Sequence, residues 1–489
     1  MTSWPRAARA AWMSAFVAVL FTGASPGALA HEDAANLPPG ERWLEHMQRE
    51  LLPFWTMPDA WGTPPGNFPT YRCNSGQLID PARPCQEARD APPWMREGLD
   101  QQYVRMMGRQ AYFYGVAYHL LGDPALLKLA RDGVTYLRRH ALEPGTGSAA
   151  TLLRDGERAG PPALERTAQD LAYAQVGMAM YYYLTRDPEV LRDILRLKHH
   201  IFENYWDEEL GMLRWTVRGE DSARKELVAQ LDQVNAYMLL LTPILPEPER
   251  GEWKADLARL AGVMKQRFFS PQRHLFFGTL DAPDSRNPGA RHNDFGHTAK
   301  ALWMTERIGR LVGDEDLVAF ATGEADVVLR RAQLPDGTWG SREGPDGSID
   351  AGKEWWIYAE LDQLCATRAL ADPAKARLLA KTYPFLLKNM VDHDAHEVWG
   401  SVDRDGNPKR GLKIHLWKSG YHSAEHALVA YLTTRAIEGK PATLYYAFAS
   451  PPDEVRPYYF EGDVKAAARS TLPGFEGRQR WKVTFAGLR

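Results

Sequence analysis

Four stretches of this sequence concentrate side chains that can move protons or hold charge. Gly108-Arg109-Gln110 opens an aromatic stretch. HNDFGHTAKALWMTE carries His292, Asp294, His297, Lys300, Trp303 and Glu306. KEWWIYAELDQ carries Glu354, Trp355, Trp356 and Glu360, with Trp356 and Glu360 four apart and therefore on one helical face. LKIHLWKSGYHSAEH carries His415, Trp417, Lys418, His422 and His426. An imidazole has a reference pKa near ~6.5, so histidines can take up or release a proton at neutral pH. Each group also has an ordinary structural explanation. An arginine at the start of a buried helix usually forms an ion pair, a single histidine is usually hydrogen-bonded, and tryptophan usually packs in a core. The repetition argues for a site, because polar groups begin several helices that are otherwise apolar.

Those helices must gather the groups in one place. Apolar periodicity predicts helices over 41–54, 99–121, 124–140, 165–185, 188–204, 225–243, 247–268, 292–312, 315–332, 353–370, 373–390 and 417–437, with very little sustained strand. They come in pairs. Asp123-Pro124, Asp187-Pro188 and Asp372-Pro373 each place a capping carboxylate before a proline suited to the first helical turn, and Gly313-Asp314 plays a similar part. The helix before each turn is apolar nearly all round, whereas the one after it has an apolar and a wet face. Six such pairs around a circle make an all-α (α/α)6 barrel. Long Gly-, Asp- and Trp-rich links join the pairs, and hairpins such as LRWTV and HEVWGSVDRDG are expected on the rim of a cleft. The pattern runs from end to end, which predicts a single domain over 31–489, with a two-domain chain as the alternative.

The first 30 residues read as a signal peptide: Arg6 and Arg9, an apolar run from Ala10 to Phe21, then Ala28-Leu29-Ala30 for cleavage. The mature chain is expected to start at His31, to be exported to the periplasm or secreted, and to have no membrane span after cleavage. With a formal net charge of −3 and no basic stripe, nucleic acid is not an expected partner. Of the three cysteines, Cys73 and Cys85 flank a loop that an oxidising compartment could close with a disulfide, and Cys365 lies in an apolar helix as a buried thiol. No CxxC or HExxH spacing occurs, so no metal site is signalled and no cofactor is expected.

Taken in order, the four motifs resemble those of the N-acylglucosamine 2-epimerase family, which includes cellobiose 2-epimerases and mannose isomerases. Gly108-Arg109-Gln110 is similar to its arginine motif, Phe295-Gly296-His297 with Trp303 to its Gly-His motif, and Glu354-Trp355-Trp356 with Glu360 to its pocket motif. Trp417-Lys418 followed by Tyr421-His422 is similar to the motif bearing a second catalytic histidine. The resemblance implies a metal-independent epimerase or isomerase. His297 and His422 would exchange protons through an enediolate, and Arg109 would hold the carbonyl oxygen. It also implies sugar binding by Trp355, Trp356, Glu354, Glu360, Lys300, Trp303, Asn235 and Lys418, on a small-molecule or oligosaccharide sugar, by a monomer or homodimer. The sequence departs from the family at Lys300, where an acidic residue is common, and at Leu239 and Thr242, where His and Glu are typical. Lys300 leads to the expectation of a positive pocket mouth and an anionic sugar. Two other readings fit the same barrel: a glycan hydrolase or lyase using Asp294, Glu354 and Glu360, and a non-catalytic sugar-binding protein.

Overall fold

Four tight turns of the chain carry an aspartate that caps the next helical segment. Asp123, Asp187, Asp314 and Asp372 all accept hydrogen bonds from backbone N–H groups of the turn that follows, satisfying donors a helix start leaves unpaired. The computed structural model describes residues 36–281, 292–409 and 411–489. The expected signal peptide lies outside the described residues.

The helices form two concentric rings. The inner ring consists of α2 (Val104–Leu121), α4 (Ala168–Thr185), α6 (Asp232–Leu241), α8 (Phe295–Val312), α10 (Trp355–Ala371) and α12 (Tyr421–Ile437). Each packs on the next, and α12 returns to α2 to close the circle. The outer ring consists of α1 (Gly40–Glu45, continued by irregular turns to Trp55), α3 (Pro124–His140), α5 (Pro188–Tyr205), α7 (Glu249–Val263), α9 (Glu315–Ala332) and α11 (Ala376–Phe385). The fold is thus an (α/α)6 barrel. Inner helices have neighbours on every side: all residues of α2 except Leu121 are buried, which is why the sequence shows no wet face there. Among the described residues no helix is long and apolar enough to cross a membrane.

Short links run from inner to outer helices, and long ones run from outer to inner helices at the opposite end. The long links carry two-residue strand pairs: Trp206–Asp207 with Met212–Leu213, Phe269–Ser270 with Leu275–Phe276, and Lys353–Glu354 with Ser401–Val402. Ser401–Val402 pairs both with the strand just before α10 and, through the Val402–Pro408 bridge, back on its own segment, so the expected hairpin is extended by a third strand. Cys73 and Cys85 are disulfide-bonded, and Cys365 is a free buried thiol. Closing a loop of this length is worth about 3 kcal/mol by chain entropy.

Periodicity missed a C-terminal antiparallel sheet of Ala442–Tyr446, Gln479–Ala486 and Asp463–Thr471, with Gln479–Ala486 in the middle. Every residue of Asp463–Thr471 is exposed, so the strand shows no apolar alternation to read. The sheet seals the end of the barrel away from the long links. Tyr118 donates to the Tyr446 carbonyl at 2.8 Å, and Ala447 N donates to the Leu184 carbonyl at 2.9 Å. A closed ring tied to its own end cap has no natural dividing line. Residues 36–489 are therefore expected to unfold as one unit, with tryptophan fluorescence and far-UV circular dichroism tracing one denaturant transition. Limited proteolysis yielding two stable halves would refute this.

Candidate active site

The starts of the inner helices meet beneath the long links, and α8 shows how closely their side chains are held. Asp294 caps α8, accepting from the His297 backbone N–H at 2.8 Å, while its other oxygen lies 2.7 Å from His297 Nδ1. One carboxylate thus sets both the helix start and the imidazole, leaving Nε2 for the cavity. Gly296 makes the approach possible: a Cβ there would meet the Trp356 ring at 2.7 Å and the Ile357 side chain at 2.8 Å. The His297 ring consequently sits edge-on to Trp356 at 4.6 Å. Gly108 has the same role between α2 and α4, since a Cβ would fall 2.5 Å from the Tyr173 carbonyl. Beside it, Arg109 donates to the Trp417 carbonyl at 2.8 Å and to the Tyr173 hydroxyl, its guanidinium 4.0 Å over the Tyr173 ring.

A charged layer lies under these groups. Lys300 Nζ is 3.1 Å from Asp232 and 3.0 Å from Glu360, all three buried. Glu360 also accepts from Trp303 Nε1 at 2.8 Å. Its other oxygen is 3.4 Å from His422 Nε2, an ion-pair distance without hydrogen-bond alignment. Burial pushes the Asp232 and Glu360 carboxyls up, but Lys300 together with Arg109, Tyr173 and Gln169 at Asp232, and with His422 and Trp303 at Glu360, outweighs it and both stay below the ordinary carboxylate value. Lys300 is itself held above the usual lysine value, because Glu360 and Asp232 overcome the cost of burial. Burial brings His422 down to about 4; Lys300 and Arg109 act in the same direction, and Glu360 opposes them. Glu425, one turn further along α12, is pushed up to about 8 by burial and by the Glu360 charge.

The resulting cavity has a volume of about 420 Å³. Of the residues expected at a site, Arg109, His297, Lys300, Glu354, Trp355, Trp356 and His422 line it, with His292, Asp294, His415 and Trp417. Four others do not. Glu360 and Trp303 stand behind the wall, where they fix Lys300 and each other. Asn235 turns its amide to the Gln230 and Leu231 carbonyls at 2.8 and 3.2 Å, joining α6 to the irregular turn before it. Lys418 is fully buried against Glu397 at 2.8 Å, a carboxylate that also accepts from Trp55 and Ser423. The expectation that these four line the cavity is corrected: Glu360, Trp303 and Lys418 are paired inside the protein, and Asn235 donates its amide to backbone carbonyls.

Sequence reading missed Gln169, Tyr173, Asp232, Arg342 and Trp94, which also line the cavity. Asp232 carried the same signal as the others, a charge at the start of an apolar helix. Trp94 lies in a single helical turn, Pro93–Arg96, too short to show a period, and carried none. Leu239 and Thr242 face away from the cavity: Leu239 borders a separate depression with Arg307, and the Thr242 hydroxyl donates to the Met238 carbonyl at 2.6 Å. The positive mouth is also corrected. Arg109, Lys300 and Arg342 are balanced by Asp232, Asp294 and Glu354, so the charged lining residues sum to zero.

Fold and cavity together define an (α/α)6-barrel protein with a cavity walled by histidine and tryptophan at the inner-helix starts. The chain belongs to the N-acylglucosamine 2-epimerase (GlcNAc 2-epimerase) family, whose model matches residues 97–425. It is similar to a cellobiose 2-epimerase of Eubacterium cellulosolvens, 21% identical over 349 residues that span 65% of this chain and 85% of the relative. The cellobiose 2-epimerase of Spirochaeta thermophila shares its fold, with a TM-score of 0.66 at 16% identity over 82% of this chain and 97% of that one. A D-mannose isomerase does so with a TM-score of 0.65 at 14% identity, over 81% of this chain and 97% of that one.

Proposed function

We propose that this protein is a carbohydrate 2-epimerase or aldose–ketose isomerase, exported from the cytoplasm, that exchanges protons through His297 and His422. The observation that carries the reading is the placement of two histidines on one cavity, both beside Trp356. His422, with its pKa near 4, is neutral at neutral pH and suited to act as the base. His297 is held through Nδ1 by the Asp294 carboxylate, which fixes its ring and leaves Nε2 to return a proton to the substrate. With an open-chain aldose in the cavity, the base removes the C2 proton and the electron pair moves into an enediolate. Return of a proton to C2 from the opposite face gives the epimer, and return to C1 gives the ketose. The reverse direction exchanges the two roles. Arg109, fixed by Trp417 and Tyr173, is placed to steady the negative charge on oxygen.

Family membership supports the reaction class. A balanced lining charge favours a neutral sugar. The disulfide supports export, because such bonds persist in oxidising compartments. The carboxylates that a hydrolase would need are each held by a basic partner: Asp294 by His297, Glu354 by Arg342, and Glu360 by Lys300.

The test is incubation with neutral aldoses and disaccharides in deuterium oxide, followed by NMR. Deuterium should appear at C2 of the substrate's reducing-end sugar. New reducing ends without exchange would point to glycan cleavage, and neither result would leave a binding protein. The same assay checks the pH dependence. Because the His422 pKa is lowered, its basic form persists below the ordinary ~6.5, and kcat/KM should fall only as pH approaches about 4. An acid limb centred near ~6.5 would remove His422 from the role of base.

A further inference from the structure

We infer that a depression around Arg307, at the sealed end of the barrel, is a binding site for a small organic carboxylate, separate from the histidine cavity. Arg307 stands near the far end of α8, about 15 Å along the axis from His297 at its start. The depression has a volume of about 290 Å³. Leu239 of α6, Arg307, Arg310 and Leu311 of α8 and Glu315 at the start of α9 line one side. The other side is Arg456, Tyr459, Glu461 and Arg489, from the chain beyond the residues that match the family. Leu239, a departure from the family pattern that the histidine cavity does not use, thus has a place here.

The argument turns on one unmatched charge. Arg307 is only 8% exposed, and among the described residues its guanidinium has no hydrogen-bond or ion-pair partner. It lies instead over the Phe460 ring, 4.5 Å from the centroid. The other three arginines of the lining are each held by a carboxylate. Arg310 meets Glu306 at 2.8 Å. Arg456 meets Glu454 at 3.1 Å and Glu461 at 3.3 Å, and Arg489 meets Glu461 at 3.2 Å and Asp463 at 3.5 Å. Glu315 stands exposed to water. Burial brings Arg307 down to about 10; Arg310 and Arg456 act in the same direction, and Glu306 and Glu461 oppose them. The group therefore keeps its charge at neutral pH. A buried charge is costly unless it is paired, so a guanidinium held here without a protein partner points to an anionic ligand.

The surroundings select the kind of anion. A planar guanidinium presents two parallel N–H donors, the match for the two oxygens of a carboxylate. Leu239, Pro243, Leu311 and the Tyr459 ring offer apolar surface to the carbon body of an organic acid. The Tyr459 hydroxyl is already engaged, donating to the Ala236 carbonyl at 3.1 Å. Inorganic phosphate is served less well, because it has no carbon body for the apolar surface and the lining arginines other than Arg307 are taken by carboxylates.

Thermal unfolding and isothermal titration calorimetry of the whole protein, at constant ionic strength, test the site. The probes are sodium butyrate and sodium benzoate, with benzamide as the uncharged match of benzoate and with sodium phosphate and sodium chloride as other anions. At least one carboxylate should raise Tm in a saturable way, with half its effect at millimolar concentration, whereas benzamide and chloride should not. Arg307→Met keeps the length of the side chain and removes its charge. It should weaken carboxylate binding by about tenfold or more, the scale of a charge-assisted hydrogen bond. It should also leave the Tm of the ligand-free protein equal or higher, because it discards a charge that no described residue pairs with. Arg307→Lys, which keeps the charge but loses the fork, should fall between the two. Absence of a saturable response to both carboxylates overturns the inference, as does a response to phosphate alone. Carboxylate binding that survives Arg307→Met overturns it too. A ligand-free Tm several degrees lower in Arg307→Met would make the arginine a structural group and refute the site.

Discussion

His297→Asn and His422→Asn should each lower turnover by about 10²-fold or more, the usual contribution of a positioned acid or base. Asparagine keeps much of the size and some hydrogen bonding of histidine but cannot accept and return a proton at these positions. Both side chains lie at the starts of inner helices, where cap and packing come mainly from other residues. Asp294 can still accept from the backbone N–H of residue 297, and α12 keeps Tyr421 and Glu425. The fold should therefore survive, which circular dichroism checks, and the loss should fall on kcat more than on KM. The double variant should be little worse than either single one, because the pair acts as a unit. Wild-type-like turnover in both variants, with loss of activity on changing Asp294 or Glu354, would hand the chemistry to the carboxylates.

Lys300→Met should destabilise the protein by about 3–5 kcal/mol, the cost of stranding buried charges. The lysine neutralises both Asp232 and Glu360 at about 3 Å in a buried layer beside the cavity, and methionine fills similar volume without charge. Measured by denaturant unfolding, the deficit should shrink as pH falls from 7 toward 4. In the wild type the two carboxyls are held below their unfolded values, so they add stability above roughly pH ~4 and lose it at lower pH. In the variant burial raises them instead, and uptake of a proton relieves the stranded charge earlier. Lys300→Glu, which adds a third carboxylate, should be worse still. A deficit below about 1 kcal/mol would mean that solvent reaches the layer and that the ion triad is not structural.

The helical pairs were legible because their signals are local. Aspartate before proline can be read at 123, 187 and 372 without any neighbour in space, and α3 has the bounds that periodicity predicts. The motif residues that line the cavity were legible for a related reason. A polar group beginning an apolar helix, as at Arg109 or His297, conflicts with its surroundings unless helix starts converge. The strand Asp463–Thr471 was illegible because its exposure removes alternation, and Trp94 because one helical turn is too short to show a period.

The amino-acid order by itself determined which segments become helices, how they pair, and that histidine, arginine and tryptophan meet at one end of a ring. Only the tertiary structure decided what each charge faces. Lys300 stands one turn after His297 and looked like a cation for an acidic ligand, yet Asp232 and Glu360, from two other helices, close on it and cancel its field. Asn235 and Lys418 were expected at the site but point their side-chain nitrogens at backbone carbonyls and at Glu397. Periodicity assigns a residue to a face, whereas Coulomb interaction falls with distance and depends on burial. Partners 68 and 60 positions away, as for Lys300, are therefore set only when the ring closes.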